Sequence, residues 1–184
     1  MDPRLRDSVR RDVQGARASK IAPFSHERRW VIAGHRAAGK SSLLRQLARC
    51  VPRPAVDLDE ELSRRFHRPL REWVQQDVRG FRAAERETFA SLPVHTLVAV
   101  GGGFLSLHAD LLADCELLIV PISFETYCER LRRDTSRPRL RPELPLEEEL
   151  RILYMEREAL HARVGALRLG EALAALEAAL STSS

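Results

Sequence analysis

Gly34-His35-Arg36-Ala37-Ala38-Gly39-Lys40-Ser41 fits the pattern G-x-x-x-x-G-K-[ST]. It stands directly after the apolar run Trp30–Ala33 and opens the helical stretch Lys40–Cys50. A strand before and a helix after are the context in which this pattern has a mechanism. The glycines let the backbone curl until successive N–H groups point at one spot, and the helix start adds its positive dipole end. The stretch therefore reads as a phosphate cradle, built from Gly34, Ala37, Ala38, Gly39 and the following Ser42. Lys40 is expected to reach the β- and γ-phosphates and Ser41 to hold Mg²⁺. A plain glycine turn before a surface helix is the ordinary alternative. The chain has 28 Arg and only two Lys, and beyond the first 27 residues its sole Lys is Lys40. Arg is too broad and planar for the point-charge role inside such a loop, so a lysine kept here alone indicates a specific chemical demand.

Outward from the loop, short apolar runs alternate with helical patterns. The runs are Ala55–Leu58, Val94–Val100 and Leu117–Ile122, with helical stretches through Ser91 between them and a long helix over Leu146–Val164 after them. A last short apolar run and an Ala/Leu-rich helix follow. Alternation of this kind implies βαβ units, hence a parallel sheet with right-handed crossovers, helices on both faces, and ligands at the carboxyl ends of the strands. Asp134 to Pro145 is dense in Arg and Pro and cannot form a regular helix, so it reads as a loop or lid at about 134–145.

Composition narrows the function classes. The 184 residues are 44% apolar and 30% charged, which suits one globular domain with a real core. The formal charge of +4 sits in the first 29 residues, which hold eight Lys/Arg against four acids, so the body is neutral. A neutral body with 5% aromatic residues argues against a nucleic-acid surface. No apolar stretch approaches the roughly 18–20 residues of a membrane helix, and no secretory segment opens the chain, so a cytoplasmic protein without a membrane partner is expected. Residues 1–27 read as a polar arm, with Leu5, Val9 and Val13 at the spacing of one short helix. Cys50, Cys115 and Cys128 are odd in number, and the six histidines are scattered. Neither a disulfide scaffold nor a zinc site is expected, and buried free thiols are.

Several other positions carry candidate chemistry. Asp57 and Asp59 close the second apolar run, and in an extended segment their carboxylates share one side. The competing reading makes Asp59 the N-cap of the helix that starts Glu60-Glu61. Gly101-Gly102-Gly103 follows the third strand, where an acid is often found, which leaves Asp57 to serve the metal. Taken singly, Arg82 with Glu85 reads as an i, i+3 pair, Arg157 as part of a solvated helix face, and Arg137 as a loop charge.

Together, in order and spacing, these residues resemble the shikimate kinase family over nearly all of residues 28–180. After the loop come Asp57-Leu58-Asp59, like the family's D-x-D, and Gly80-Phe81-Arg82-Ala83-Ala84-Glu85, like its F-R-x-x-E. The triple glycine follows. Arg133-Asp134-Thr135-Ser136-Arg137-Pro138 is similar to its lid, and Arg157-Glu158-Ala159-Leu160-His161 to its R-x-P-L-Y. The resemblance implies a three-layer P-loop kinase fold with a five-stranded parallel sheet in residues 28–184. It further implies ATP- and Mg²⁺-dependent phosphorylation of the shikimate 3-hydroxyl by a monomer. It assigns Arg82 and Arg157 to the substrate carboxylate, Gly102 and Gly103 to backbone contacts, and Asp59 to the acceptor hydroxyl. Lys40 and Arg137 fall to the transferring phosphoryl, Ser41 and Asp57 to Mg²⁺, and Arg133 to adenine. The sequence departs from the family at Ala37 for glycine, Gln76-Asp77 for Gly-Glu, Arg139 inside the lid's R-P-L-L, and Ala159 and His161 for Pro and Tyr. The segment near Gly170 is also shortened. Two alternatives stay open: a kinase of the same architecture for gluconate, an aminated shikimate or another cyclitol, and a ligand-sensing domain of the same fold.

Overall fold

The computed structural model describes residues 28–134 and 139–164 and the backbone of the strand Leu167–Arg168. The N-terminal arm, residues 135–138 with Arg137, and the C-terminal helix expected from the sequence lie outside the described residues. In chain order the strands are β1 (Arg29–Gly34), β2 (Ala55–Asp57), β3 (Leu97–Ala99), β4 (Cys115–Val120) and β5 (Leu167–Arg168). The helices are α1 (Lys40–Cys50), α2 (Leu58–Phe66), α3 (Leu70–Gln76), α4 (Val78–Ser91), α5 (Phe104–Leu107), α6 (Phe124–Arg133) and α7 (Leu146–Arg163). The five strands pair in the order β2-β3-β1-β4-β5, all parallel, so the expected parallel sheet is present.

Strand periodicity divides the core. In β1, Val31 and Ala33 pack into one cluster with Leu58, Leu62, Trp73, Phe81, Phe89 and Phe104, while Trp30 and Ile32 pack into another with Leu43, Leu44 and Leu47. β3 and β4 repeat the division, with Val98 and Ile119 on the first side and Leu97, Ala99, Leu118 and Val120 on the second. Successive side chains point to opposite faces, so an uninterrupted apolar run marks a strand covered on both. On the first side Phe81, Phe89 and Phe104 are sealed from solvent, and truncating one to Ala would cost about 3–5 kcal/mol. A third cluster, Tyr127, Cys128, Leu131 and Leu150, joins α6 to α7.

Several local expectations need correction. The third apolar run, Val94–Val100, is paired as strand only over Leu97–Ala99. Of the three free thiols only Cys128 is buried; Cys50, at the end of α1, is exposed, and Cys115 is half-buried. The helix expected over Leu146–Val164 is present as α7; its sequence sets Glu147 and Arg151 at i, i+4, as for an ion pair, but Glu147 reaches Arg132 of α6 at 3.5 Å. Arg151 instead lies over the Phe124 ring.

Candidate active site

The phosphate loop takes its shape from a few backbone states. Gly34 has φ +137°, and a Cβ there would sit 2.7 Å from the Val120 carbonyl of β4, so only glycine lets β1 lie this close to its neighbour. Gly39, at φ +97°, caps α1. Ala37, where the family resemblance expects glycine, adopts φ +60°, an uncommon state for a residue with a Cβ. Its carbonyl accepts from Arg130 Nη1 at 2.7 Å, which pins the turn to α6. Lys40 Nζ donates to His35 O at 2.6 Å and Gly34 O at 3.3 Å, so the ammonium is held across its own loop. Lys40, Ser41 and Ser42 line one cavity of about 300 Å³ with Ala37, Gly39, Asp57 and Asp59.

Those two carboxylates reach the cavity by a different route from the one their spacing implies. β2 ends at Asp57, and Asp59 already lies in the first turn of α2. The shared side of a strand therefore does not apply. The capping assignment moves as well: Asp57 is the N-cap, its Oδ1 accepting from Asp59 N at 3.1 Å and Glu60 N at 3.4 Å. Both acids nevertheless face the cavity that holds Lys40 and Ser41. A serine hydroxyl and two carboxylates are hard oxygen donors, a set that suits Mg²⁺ beside a polyphosphate.

A second cavity of about 450 Å³ opens alongside, sharing Arg36, Gly101 and Gly102 with the first and lined also by Phe81, Arg82, Gly103 and Arg157. It unites three distant elements: α4 with Arg82, the turn after β3, and α7 with Arg157. The glycine turn is a true close approach. A Cβ at Gly102 would lie 2.9 Å from Arg36 N and 3.3 Å from Arg157 Nη1. At Gly103 it would lie 3.7 Å from Arg82 Nη2, so both guanidiniums stand over the glycine pair. Arg82 donates to Glu85 at 2.7 Å, and Glu85, sealed at 1% exposure, is met from behind by His108 Nε2 at 3.1 Å. The i, i+3 pair read from the sequence is therefore present, and it aims Arg82. Burial, followed by the charges of Arg36 and Arg82, presses the Arg157 guanidinium below its ordinary value against the opposing effect of Tyr127. Positive charge concentrated in a partly dry pocket is stabilised by an anion, and two guanidiniums suit a planar carboxylate.

Next to these cavities lies a group that the sequence does not announce. His35 is 1% exposed, with Nε2 2.9 Å from Glu158 Oε1, and His161 Nδ1 lies 3.4 Å from the same oxygen. The His35 ring stacks on Tyr154 at 4.3 Å and meets Tyr127 edge-on at 5.3 Å. Burial lowers His35 to about 4 despite its bond to Glu158, so the ring is neutral in ordinary buffers. Burial also lowers His161. The histidines that looked scattered are thus two in one place, 126 positions apart in a chain whose spacing carries no trace of it.

The lid's foundations are partly visible. Arg36 Nη2 and Nε reach Asp134 Oδ2 at 2.8 and 3.1 Å, linking the phosphate loop to the lid's first residue. At the other end, buried Glu149 accepts from Arg139 Nε at 2.5 Å, Leu140 N at 2.8 Å and Arg141 N at 2.9 Å. Burial pushes the Glu149 carboxyl up, but these three bonds outweigh it and hold it below the usual carboxylate value. Arg139, which interrupts the lid motif, is therefore the cation that holds the lid base. Arg133, expected against adenine, is exposed, pairs with Glu129 at 3.4 Å, and lines neither cavity described above. The residues missed from sequence are Arg36, Glu149 and the His35 group. An Arg at a variable loop position was a usable signal, but nothing distinguishes Glu149 from Glu147 or Glu148 except where α7 faces.

Comparison with known proteins places this geometry. A family model described as shikimate kinase matches residues 36–182. A shikimate kinase of Dechloromonas aromatica is 32% identical over 153 residues, covering 80% of this chain and 83% of that one. One of Thermosynechococcus vestitus is 32% identical over 137 residues, covering 72% and 74%. Among solved structures, shikimate kinase from Acinetobacter baumannii in complex with shikimate superposes with a TM-score of 0.68 at 24% identity, covering 84% of this chain and 94% of that one. The likeness at that identity is one of fold.

Proposed function

The chain belongs to the shikimate kinase family, and from that premise we propose how its own residues carry out ATP-dependent phosphorylation of the shikimate 3-hydroxyl. It is a kinase that uses ATP and Mg²⁺. One observation carries the assignment of roles. The two-arginine pocket over Gly102 and Gly103 opens directly beside the cavity of Lys40, Asp57 and Asp59, so a carboxylate gripped in one places a hydroxyl at the edge of the other.

Arg82, aimed by Glu85, and Arg157 grip the acceptor carboxylate, and Gly102 and Gly103 offer backbone atoms to the ring. Asp59 orients the acceptor hydroxyl and takes its proton as the new O–P bond forms and the bond to the ADP oxygen breaks. The loop N–H groups of residues 34–39 and Ser42 hold the phosphates. Lys40 exchanges its loop carbonyls for phosphate oxygens and neutralises the charge that develops in transfer. Ser41 and Asp57 would hold Mg²⁺, which would supply positive charge to offset that of the phosphates. Arg137, in the lid, supplies a second cation to the transferring group. Arg133 packs on adenine only if its side chain leaves Glu129. The protein works as a cytoplasmic monomer on a small molecule, its kinase domain spanning 28–184 after the arm 1–27. No helix among the described residues is long and apolar enough to cross a membrane.

The test is ADP release from purified protein with Mg·ATP, comparing shikimate, quinate, gluconate and no acceptor, with Lys40→Ala as the control for contaminating kinases. Shikimate-dependent turnover that disappears in the variant is expected. Turnover equal with every acceptor would remove shikimate as the particular substrate. ATP binding without any acceptor-dependent turnover would instead favour a sensing role for this chain.

A further inference from the structure

We propose that His35, Glu158 and His161 form a transition-metal site of the two-histidine, one-carboxylate type, taking Zn²⁺ or Co²⁺ and standing apart from the Mg²⁺ of the phosphate cavity. The three residues each offer a ligand atom, and these atoms lie within 4.8 Å of one another. Two of the separations, 2.9 Å from His35 and 3.4 Å from His161 to Glu158 Oε1, are already near what one ion requires. Donors at about 2.0–2.1 Å from a tetrahedral ion stand roughly 3.3–3.5 Å apart, so the two imidazoles, within 4.8 Å of each other, need to approach by at most roughly 1.5 Å.

The group is built rather than accidental. It joins two elements, since His35 belongs to the phosphate loop and the other two to α7. The stack on Tyr154 and the edge contacts with Tyr127 and His161 hold the His35 ring in one plane. The ring is 1% exposed and turns its Nε2 toward Glu158, so Nε2 is the nitrogen it offers to an ion. Glu158, whose side chain is 46% exposed, opens the cluster to solvent on one side, which leaves room for ion entry and for a water as fourth ligand.

Neighbouring charge indicates which ions fit. Arg157 acts on His35, and Lys40 and Arg157 act on His161, each repelling positive charge. A hard dication held by Coulomb attraction to one carboxylate gains little here, whereas an ion that bonds covalently to imidazole nitrogen can bind. Zn²⁺ and Co²⁺ are therefore expected and Mg²⁺ and Ca²⁺ are not. Occupancy would join the loop carbonyl that receives Lys40 to the helix that carries Arg157, so that one ion ties the phosphate side of the active site to the acceptor side.

The experiment is titration of the chelator-treated full chain with Co²⁺, read as visible d–d absorption, followed by displacement with Zn²⁺. One Co²⁺ per chain with a four-coordinate spectrum is expected. Glu158→Gln and His161→Tyr, the latter installing the residue found in the family's R-x-P-L-Y, should each weaken binding at least about 10-fold. Both should melt as the parent does in the absence of metal. The proposal fails if the parent shows no such band, if both variants bind Co²⁺ like the parent, or if the spectrum carries thiolate charge transfer, which would assign the ion to a cysteine. Should His161→Tyr not fold, Glu158→Gln decides alone, since that side chain is half exposed.

Discussion

The phosphate side and the acceptor side of the cleft are made in opposite ways. The phosphate side is eight consecutive residues whose conformation is local: Gly34 and Gly39 accept positive φ, and Lys40 is held by carbonyls five and six positions before it. The acceptor side is assembled from α4, the turn after β3, and α7, and Arg82 and Arg157 meet there only because each helix packs where it does. Phosphate binding is thus encoded largely in one segment, which Asp57 and Asp59 join from the next strand–helix junction, whereas recognition of the acceptor depends on the whole core. Damage to the first should alter rate with any acceptor; damage to the second should alter affinity and be sensitive to packing.

The most severe test of that contrast is Lys40→Ala, which should lower kcat on the order of 10³-fold with every acceptor, read by ADP release, without changing the melting temperature by much. Comparable loss of fold stability would mean that the loop is not an autonomous device. Next, Arg157→Ala should raise the KM for shikimate about 10- to 100-fold, corresponding to the loss of a charge-assisted bond, with a smaller change in kcat. Unchanged shikimate kinetics would remove Arg157 from the clamp.

Glu149→Ala should cost about 2 kcal/mol in urea denaturation, because Arg139 and the N–H groups of Leu140 and Arg141 lose one shared acceptor, the loss being tempered by the partial exposure of Arg139. The same contact has a pH sign. Its folded-state pKa lies below the unfolded value, so its contribution is present above the ordinary carboxylate range and fades as pH falls through the depressed value. Parent stability should therefore decline with acid more steeply than that of Glu149→Ala. The smallest effect expected is from Ala37→Gly, which relieves a positive φ of 60° at the cost of a looser unfolded chain. A gain of only about 0.5 kcal/mol is expected, visible as a rise of about 1–2 °C in melting temperature.

Legibility in the sequence follows the same division. The loop, α1 with its stated bounds and the parallel βαβ order could be read because each is a local pattern: a glycine spacing, a helical period, an apolar run. Arg82 and Arg157 could be singled out only in company, through the family resemblance, since each alone looks like a solvated helix charge. The competing reading of Asp59 as N-cap points to the right turn but to the wrong carboxylate, because strand and helix meet at Asp57 without a linker and the cap moves by two residues. Arg133, given to adenine by the resemblance, is exposed beside Glu129, a placement that no pattern in the sequence indicates.

By itself the sequence determined the reaction's local apparatus and the class of fold, since φ preferences, capping and hydrophobic period act within a few residues. Only the tertiary structure decided which of three neighbouring glutamates is buried under the lid, that His108 reaches Glu85, and that His35 meets Glu158 and His161. Those outcomes depend on which face of α4 or α7 is turned toward the sheet, and that is set by the packing of the whole core rather than by any short stretch of chain.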